Sequence, residues 1–199
     1  MLGATNVQLG HMPGFLVLLW HTMRRLIDID LLEDEQLQAS MASGSMAILL
    51  AGVVVGVFLA IALPHEPISI WWFVQLAVIS IVALPVHELV HAAAFKLVSG
   101  FNARLKFGFT NWMLYTASPG TILTRSRFCI VLLAPSVVVT LALWIGAAVA
   151  GEPLLGWFLA VIHLAGCTGD IGYVRIIRSE RNANLVQDTE RGIALFHDE

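Results

Sequence analysis

The sequence predicts an all-α membrane protein with four transmembrane helices and a membrane-associated β-hairpin between helices two and three. Three observations support this prediction: an apolar composition, four long apolar runs, and a one-sided distribution of basic residues. Hydrophobic residues make up 58% of the 199 residues and charged residues only 13%. Soluble domains are roughly 45–50% apolar and about 25% charged. The mean hydropathy of +0.81 therefore indicates a chain solvated largely by lipid.

Four stretches are long and apolar enough to cross a bilayer, which takes about 20 residues of helix. They are residues 45–63 and approximately residues 70–97, 128–150 and 154–177. Short turns join the first stretch to the second and the third to the fourth, and a longer segment joins the two pairs. This arrangement predicts two helical hairpins that cross the membrane.

The lysines and arginines decide the predicted orientation. All 11 lie in the N-terminal segment, between residues 96 and 127, or from Arg175 onwards. Basic residues concentrate on the cytoplasmic side of membrane proteins, so both termini and the long middle segment are predicted to be cytoplasmic. The predicted organisation is a cytoplasmic or interfacial segment at 1–44, a four-helix transmembrane domain at 45–177 and a cytoplasmic tail at 178–199.

Three segments outside the apolar runs carry weaker signals. "MPGFLVLLW" (12–20) is too short to span a bilayer and is predicted to be an interfacial helix or a helix packed against the bundle. "DIDLLEDEQLQAS" (28–40) is acidic and helix-prone. The β-branched and aromatic residues of 103–117, with Thr110 and Asn111 as the turn, predict a hairpin. An ordinary cytoplasmic loop is the alternative.

Charge and cysteine content exclude two classes of protein. The net charge of −3 and the pI near 6.1 give no support for nucleic-acid binding. Cys129 and Cys167 both lie in apolar runs, which argues against a disulfide framework and against a zinc site built on thiolates.

The second apolar run contains an HExxH pattern, formed by His87, Glu88 and His91. On a helix, residues four apart lie on one face, so the two imidazoles can hold one Zn²⁺ from the same side. Glu88 is offset by about 100° and is placed to act as a general base without binding the ion. The alternative is that both histidines make helix–helix hydrogen bonds while Glu88 is neutral. Pro85 is predicted to bend the helix just before the motif.

A catalytic zinc needs a third protein ligand and one open position, and the fourth apolar run offers Asp170. At about 1.5 Å per residue, His87 lies about 25 Å along its helix from Ile70, and Asp170 about 24 Å from Leu154. Both helices start at the outer face, so the two groups reach nearly equal depth towards the cytoplasmic side. The alternative is that Asp170 pairs with Arg175.

Other residues of the fourth run have predicted roles as well. The glycines at 166, 169 and 172 would let this helix approach its neighbour closely. His163 precedes Asp170 by seven residues, which places it about 10 Å further out on nearly the same face. We therefore exclude His163 from the ligand set and assign it to the substrate cavity or to a bond with another helix.

These motifs resemble a known family. "HELVHAAAF" (87–95), "LLAPSVVV" (132–139) and "GDIGYVRII" (169–177) are similar to the bacterial "putative zincin peptidase" family. That family is distantly similar to the site-two proteases, which are intramembrane zinc metalloproteases. The resemblance covers roughly residues 80–195 and implies a multi-pass protein of the bacterial plasma membrane.

The resemblance also has implications for the site. In site-two proteases the third ligand is an aspartate in an Asn-Pro-Asp-Gly or Leu-Asp-Gly motif of a later helix. Here "TGDIG" (168–172) keeps Asp170 but not the Asn-Pro pair. Those proteases bind substrate in extended form against a β-element, so the resemblance implies that Phe107, Phe109 and Asn111 of the 103–117 segment contact substrate by strand addition.

The sequence therefore predicts a membrane-embedded zinc metalloprotease whose substrate is a membrane protein segment or a peptide. His87, His91 and Asp170 would hold Zn²⁺, and Glu88 would be the catalytic acid and base. Two rival functions remain open. One is a metal-ion or proton transporter that uses the same His/Glu/Asp cluster, and the other is a catalytically inactive metal-binding membrane protein. The expected partners are the substrate and the lipid bilayer.

Overall fold

The computed structural model describes residues 23–30, 34–62, 65, 67–110, 113–189 and 192–198. Within these residues the protein is mostly helical, with five helices and six short strands. The helices are α1 (Glu35–Ala62), α2 (Ile70–Val98), α3 (Arg125–Val149), α4 (Pro153–Gly166) and α5 (Thr168–Ser179). The strands are β1 (Met23–Asp30), β2 (Lys106–Thr110), β3 (Met113–Ala117), β4 (Ile122–Thr124), β5 (Leu185–Asp188) and β6 (Gly192–Asp198).

Three of these helices, α1, α2 and α3, are long and apolar enough to cross a membrane. Helix α2 has nearly the predicted bounds and is continuous through Pro85. The fourth predicted span is not a single helix, because α4 and α5 meet at an angle of 48°. The structure therefore contains three helices that are long enough to cross a membrane, and a fourth crossing requires the bent pair α4 and α5 to form one span.

The bend between α4 and α5 lies at Cys167, where the backbone leaves the helical conformation. A broken helix inside a membrane must satisfy the freed carbonyl groups within the protein, often through serine and threonine side chains. Here the carbonyl of Ala165 accepts hydrogen bonds from Ser45 Oγ at 2.8 Å and from Thr168 Oγ1 at 3.2 Å. Ser45 belongs to α1, so the break is stabilised by a neighbouring helix.

Helix α1 packs closely against α4. A side chain added at Gly52 would overlap Val161, and one added at Gly56 would overlap the ring of Phe158. Small residues at helix interfaces let two backbones approach each other. The Trp157 indole N–H donates to the Gly52 carbonyl at 2.9 Å, which adds a polar contact to this interface.

Strands β2 and β3 form the antiparallel hairpin that the sequence predicted between the second and third helices. Its register pairs Lys106 with Ala117 and Phe107 with Thr116. Thr110, expected in the turn, is instead the last residue of β2, and Asn111 lies outside the described residues.

A second, four-stranded sheet has the order β1-β6-β5-β4, with antiparallel pairing throughout. It corrects the all-α prediction. The helix-prone segment 28–40 begins in β1 and becomes helical only from Glu35, and the predicted tail 178–199 contains β5 and β6. The segment 12–20, predicted as an interfacial helix, lies outside the described residues.

The buried core consists of two hydrophobic clusters. The larger hydrophobic cluster joins one end of α2, α3 and α5 to the four-stranded sheet through fully or almost fully buried residues such as Phe128, Val131, Ile177, Val186 and Leu195. A smaller cluster packs Trp72 of α2 against Leu154, Leu155 and Leu159 of α4. Many large apolar side chains of α1, α2 and α3 remain exposed, as expected for helices that face lipid.

Candidate functional site

Helix α2 carries His87 and His91 one turn apart on one face. Their ring centroids are 4.7 Å apart and nearly perpendicular, at 78°. Their side chains are 15% and 8% exposed. Because the two rings project from the same stretch of helix, their spacing follows directly from the four-residue separation in the sequence.

Helix α5 brings Asp170 to these two rings. Asp170 Oδ2 lies 3.3 Å from His87 Nε2, and Oδ1 lies 3.4 Å from His91 Nε2. One ligand atom from each of the three residues lies within 4.8 Å of the others, so the group is able to hold a metal ion. No ion pair joins Asp170 to Arg175 within the part of the chain that the structure describes, so the alternative pairing is not adopted.

The hydrogen bonds of His91 show which of its nitrogens is available. His91 Nδ1 lies 3.0 Å from the carbonyl oxygen of Val131 on α3. A carbonyl oxygen can only accept a hydrogen bond, so Nδ1 carries the proton and, in a neutral ring, Nε2 carries a lone pair. That lone pair faces a carboxylate oxygen, which is also an acceptor. Two acceptors in contact require a cation or an additional proton between them.

The spacing of these atoms fits zinc. In tetrahedral coordination with bonds of about 2.0–2.1 Å, neighbouring ligand atoms lie about 3.3 Å apart. The two observed distances, 3.3 Å to Oδ2 and 3.4 Å to Oδ1 of Asp170, are compatible with this spacing and end on different oxygens of the carboxylate. Two imidazoles and one carboxylate are also the donor set of a catalytic zinc site with one position left open. The residues present therefore fit the ion on both geometry and chemistry.

Glu88 lies beside this group on α2. Its Oε2 atom is buried and has no hydrogen-bond partner among the described residues. A buried carboxylate oxygen without a partner is costly, and an oxygen left in this state next to a metal-ligand set is available to hold a water molecule. The hairpin packs against this residue as well, since Thr116 Oγ1 donates to the Glu88 carbonyl at 3.0 Å.

His163 lies much closer to the site than the sequence suggested. The predicted separation of about 10 Å ran along a straight helix from Asp170, whereas α4 and α5 are bent by 48°. His163 Nε2 lies 3.2 Å from His87 Nδ1, which confirms the predicted bond with another helix. His163 and Asp170 therefore contact opposite nitrogens of the same imidazole.

A second group of potential ligands shares one residue with the first. It consists of His87, His163 and Cys167, again with ligand atoms within 4.8 Å of each other. The Cys167 sulfur lies 3.8 Å from His87 Nδ1 and 3.7 Å from His163 Nδ1, and the thiol donates to the His163 carbonyl at 3.2 Å. We call these three residues the inner ligand group. Its members are hydrogen-bonded to one another, whereas in the first group the lone pair of His91 Nε2 faces the Asp170 carboxylate.

The residues assigned to substrate contacts lie in different environments. Phe107 and Phe109 of β2 are 57% and 62% exposed, respectively. His163 is buried, and Asn111 lies outside the described residues. The exposed aromatic pair is on the hairpin that contacts Glu88, whereas His163 is hydrogen-bonded to His87 and Thr140.

Several residues at the site were not identified from the sequence. They are Val131, through its carbonyl group, Thr116, and Thr140, whose Oγ1 lies 2.8 Å from His163 Nδ1. A backbone carbonyl has no signature in the sequence, and single threonines in apolar helices are common. These hydrogen-bond partners could be identified only from the three-dimensional structure.

Comparison with known proteins identifies a family. The family model described as "Putative zincin peptidase" matches residues 80–185, which include the HExxH motif, the hairpin and Asp170. No curated protein and no solved structure matches the chain significantly. Because the matched region covers more than half of the 199 residues, the chain belongs to the family described as "Putative zincin peptidase".

Proposed function

We propose that this protein is a membrane-embedded zinc metallopeptidase that hydrolyses peptide bonds in or near the membrane. His87, His91 and Asp170 would hold the ion, and Glu88 would be the catalytic acid and base. The observation that carries the proposal is the pair of 3.3 Å and 3.4 Å contacts between imidazole nitrogens and carboxylate oxygens. Membership of the family supports the same reaction class.

Zinc, when bound, would act as a Lewis acid that makes a water molecule more acidic and polarises a peptide carbonyl. Glu88 then accepts a proton from the attacking water and passes it to the leaving amine nitrogen. Its buried, unpartnered Oε2 atom is suited to this role because no other group of the described protein competes for it. Val131 holds the ring of His91 in the orientation that the ligand role requires.

The hairpin supports a proposal for where the substrate lies. Thr116 of β3 is hydrogen-bonded to the backbone of Glu88, so the hairpin is attached next to the catalytic carboxylate. An extended peptide that pairs with this hairpin would pass close to the site. The exposed Phe107 and Phe109 would then contact apolar side chains of a membrane protein segment.

The test is to compare zinc content and cleavage in purified wild-type protein and two variants. Elemental analysis should find one zinc per wild-type chain, none in Asp170→Ala, and one in Glu88→Gln. Cleavage of a peptide library should fall in Glu88→Gln by about 10²–10⁴-fold, the usual contribution of a general acid–base group. Glu152→Gln, at the start of α4 and far along the chain from the motif, is the matched control and should keep both properties.

Other outcomes would contradict the proposal. Wild-type protein that holds no zinc after supplementation would refute the metal site. Zinc without cleavage of any peptide would favour an inactive metal-binding protein. Ion flux into liposomes that Glu88→Gln abolishes, in a protein that cleaves nothing, would favour the transporter.

A further inference from the structure

His87 is hydrogen-bonded through its second ring nitrogen, Nδ1, as well as through the Nε2 atom that faces Asp170. His87 Nδ1 lies 3.2 Å from His163 Nε2, and His163 Nδ1 lies 2.8 Å from Thr140 Oγ1. The three side chains come from α2, α4 and α3, and His163 is only 8% exposed. They form a chain of hydrogen bonds that begins at a proposed zinc ligand and ends inside the bundle. We name it the His87–His163–Thr140 chain.

The proton positions along this chain depend on what His87 Nε2 does. To bind a metal through Nε2, a neutral imidazole must carry its proton on Nδ1. His87 Nδ1–H then donates to His163 Nε2, and His163 Nδ1–H donates to Thr140 Oγ1. Both ring N–H groups in this arrangement face an acceptor, so a neutral His163 matches the zinc-binding form of His87.

The same three groups also fit the metal-free form. Thr140 can donate to His163 Nδ1, His163 Nε2–H can donate to His87 Nδ1, and His87 Nε2–H can donate to Asp170. This reversal is possible because a neutral imidazole and a hydroxyl can each both donate and accept. His91 differs, because the Val131 carbonyl only accepts and fixes its proton on Nδ1 in both forms.

We propose that His163, supported by Thr140, is a positioning residue that holds His87 in its zinc-binding tautomer by accepting the Nδ1 proton. This inference rests on the proposed zinc site. Partners that orient metal-ligating histidines typically change metal affinity by about 10–100-fold when removed. The His87–His163–Thr140 chain can stabilise His87 with its proton on either ring nitrogen, whereas the Val131 carbonyl stabilises His91 only with its proton on Nδ1.

The inner ligand group provides the competing explanation. If a metal were bound by His87 Nδ1, His163 and Cys167, then His163 would be a ligand and the thiol would be essential. In the hydrogen-bonded chain, Cys167 only lines the two rings at 3.7–3.8 Å and is dispensable. Substitution of Cys167 therefore separates the two explanations.

The experiment measures zinc affinity by competition with a chromophoric chelator, using detergent-solubilised, metal-free protein. His163→Leu removes the acceptor and should weaken zinc binding by about 10–100-fold. His163→Gln supplies an amide oxygen that can accept the Nδ1 proton, and it should recover most of the loss. Thr140→Val should cause a smaller loss. Cys167→Ala should bind zinc like the wild type.

A spectroscopic measurement on wild-type protein avoids any dependence on the folding of variants. Nitrogen NMR of ¹⁵N-histidine-labelled protein should show the His87 proton on Nδ1 in the zinc-loaded form. A zinc affinity unchanged in His163→Leu, or a His163→Gln variant as weak as His163→Leu, would overturn the positioning role while leaving the zinc site intact. If Cys167→Ala loses as much zinc affinity as His163→Leu, then the metal is bound by the inner ligand group and His163 is a ligand, which would overturn the positioning role. Wild-type protein without zinc would overturn both proposals.

Discussion

At the scale of single residues, the site depends on which atoms can donate and which can only accept. The Val131 carbonyl and the Asp170 carboxylate are acceptors on either side of His91, and this alone calls for a cation or an added proton at Nε2. Glu88 contributes a buried oxygen that the described protein leaves without a partner. These features depend on the hydrogen-bonding properties of a few atoms and not on the apolar residues that make up most of the protein.

Asp188 of β5 is a buried carboxylate that connects the hairpin to the four-stranded sheet. It accepts a hydrogen bond from the backbone N–H of Ser118, which follows β3, and its own backbone pairs with Gly120 and Thr121. Burial raises the pKa of Asp188 from 3.8 to about 7, although the Ser118 hydrogen bond acts in the opposite direction. The folded protein therefore favours the protonated form of this side chain.

This raised pKa predicts a pH-dependent stability. Between pH 3.8 and about 7 the folded state keeps a proton that the unfolded state has released. Its contribution is complete below pH 3.8, falls as the pH rises through this window and is lost above it. At about 1.4 kcal/mol per pKa unit, the difference between 3.8 and about 7 corresponds to about 4 kcal/mol.

The measurement is the thermal midpoint of wild type and Asp188→Asn from pH 5 to pH 8.5. Asparagine imitates the protonated carboxyl and still accepts from Ser118, so the variant should gain stability over wild type as the pH rises. Asp198→Asn, at the exposed end of β6, serves as the control with an unchanged pH profile. Parallel pH profiles for wild type and Asp188→Asn would contradict the prediction.

At the scale of elements, the contact between α1 and α4 depends on Gly52. A methyl group at this position would overlap the side chain of Val161, which is itself 7% exposed and cannot rotate away freely. Overpacking of this kind typically costs about 1–3 kcal/mol. We expect Gly52→Ala to lower the thermal midpoint measured in detergent.

Two further variants make this prediction specific. The double variant Gly52→Ala/Val161→Ala should lose less stability than the summed losses of the two single variants, because the smaller side chain at 161 makes room for the methyl group at 52. Gly146→Ala in α3 should have little effect, since a side chain there meets nothing within 4 Å. If Gly52→Ala proves as stable as wild type, the close approach of α1 and α4 is not as described.

The same scale shows why the break in the fourth predicted span was not predicted. Residues 154–177 are mostly apolar, and nothing in them requires a break, apart from glycines that weaken a helix. The hydroxyl groups that satisfy the Ala165 carbonyl come from Thr168 and from Ser45, which is 120 residues away. By contrast, the hairpin was predictable because its strands are adjacent and rich in β-branched and aromatic residues.

At the scale of the whole molecule, the four-stranded sheet joins three distant parts of the chain. β1 precedes the first long helix, β4 lies between α2 and α3, and β5 and β6 follow α5. Strands that share hydrogen bonds cannot be separated by a bilayer. The sheet therefore requires the three segments to share one side, and the basic residues predict that this side is cytoplasmic.

Labelling with a membrane-impermeant maleimide tests this arrangement in cells, in a Cys129→Ser background. Asp28→Cys in β1 and Arg181→Cys after α5 should react only after the membrane is permeabilised. Ile68→Cys and Glu152→Cys, in the two turns at the other end, should react in intact cells. If Asp28→Cys and Arg181→Cys label from opposite sides, the sheet is refuted, and if both label in intact cells, only the orientation is reversed.

The sequence by itself determined what depends on local spacing and polarity. These features are the apolar runs, the two histidines on one face of α2, the hairpin, and Asp170 as the carboxylate available to them. The tertiary structure alone decided the break at Cys167, the Val131 carbonyl behind His91, the His87–His163–Thr140 chain and the sheet made from three distant parts of the polypeptide. The reason is physical: each of these depends on a hydrogen-bond partner far away in sequence, and a backbone carbonyl or a lone hydroxyl leaves no pattern that spacing can reveal.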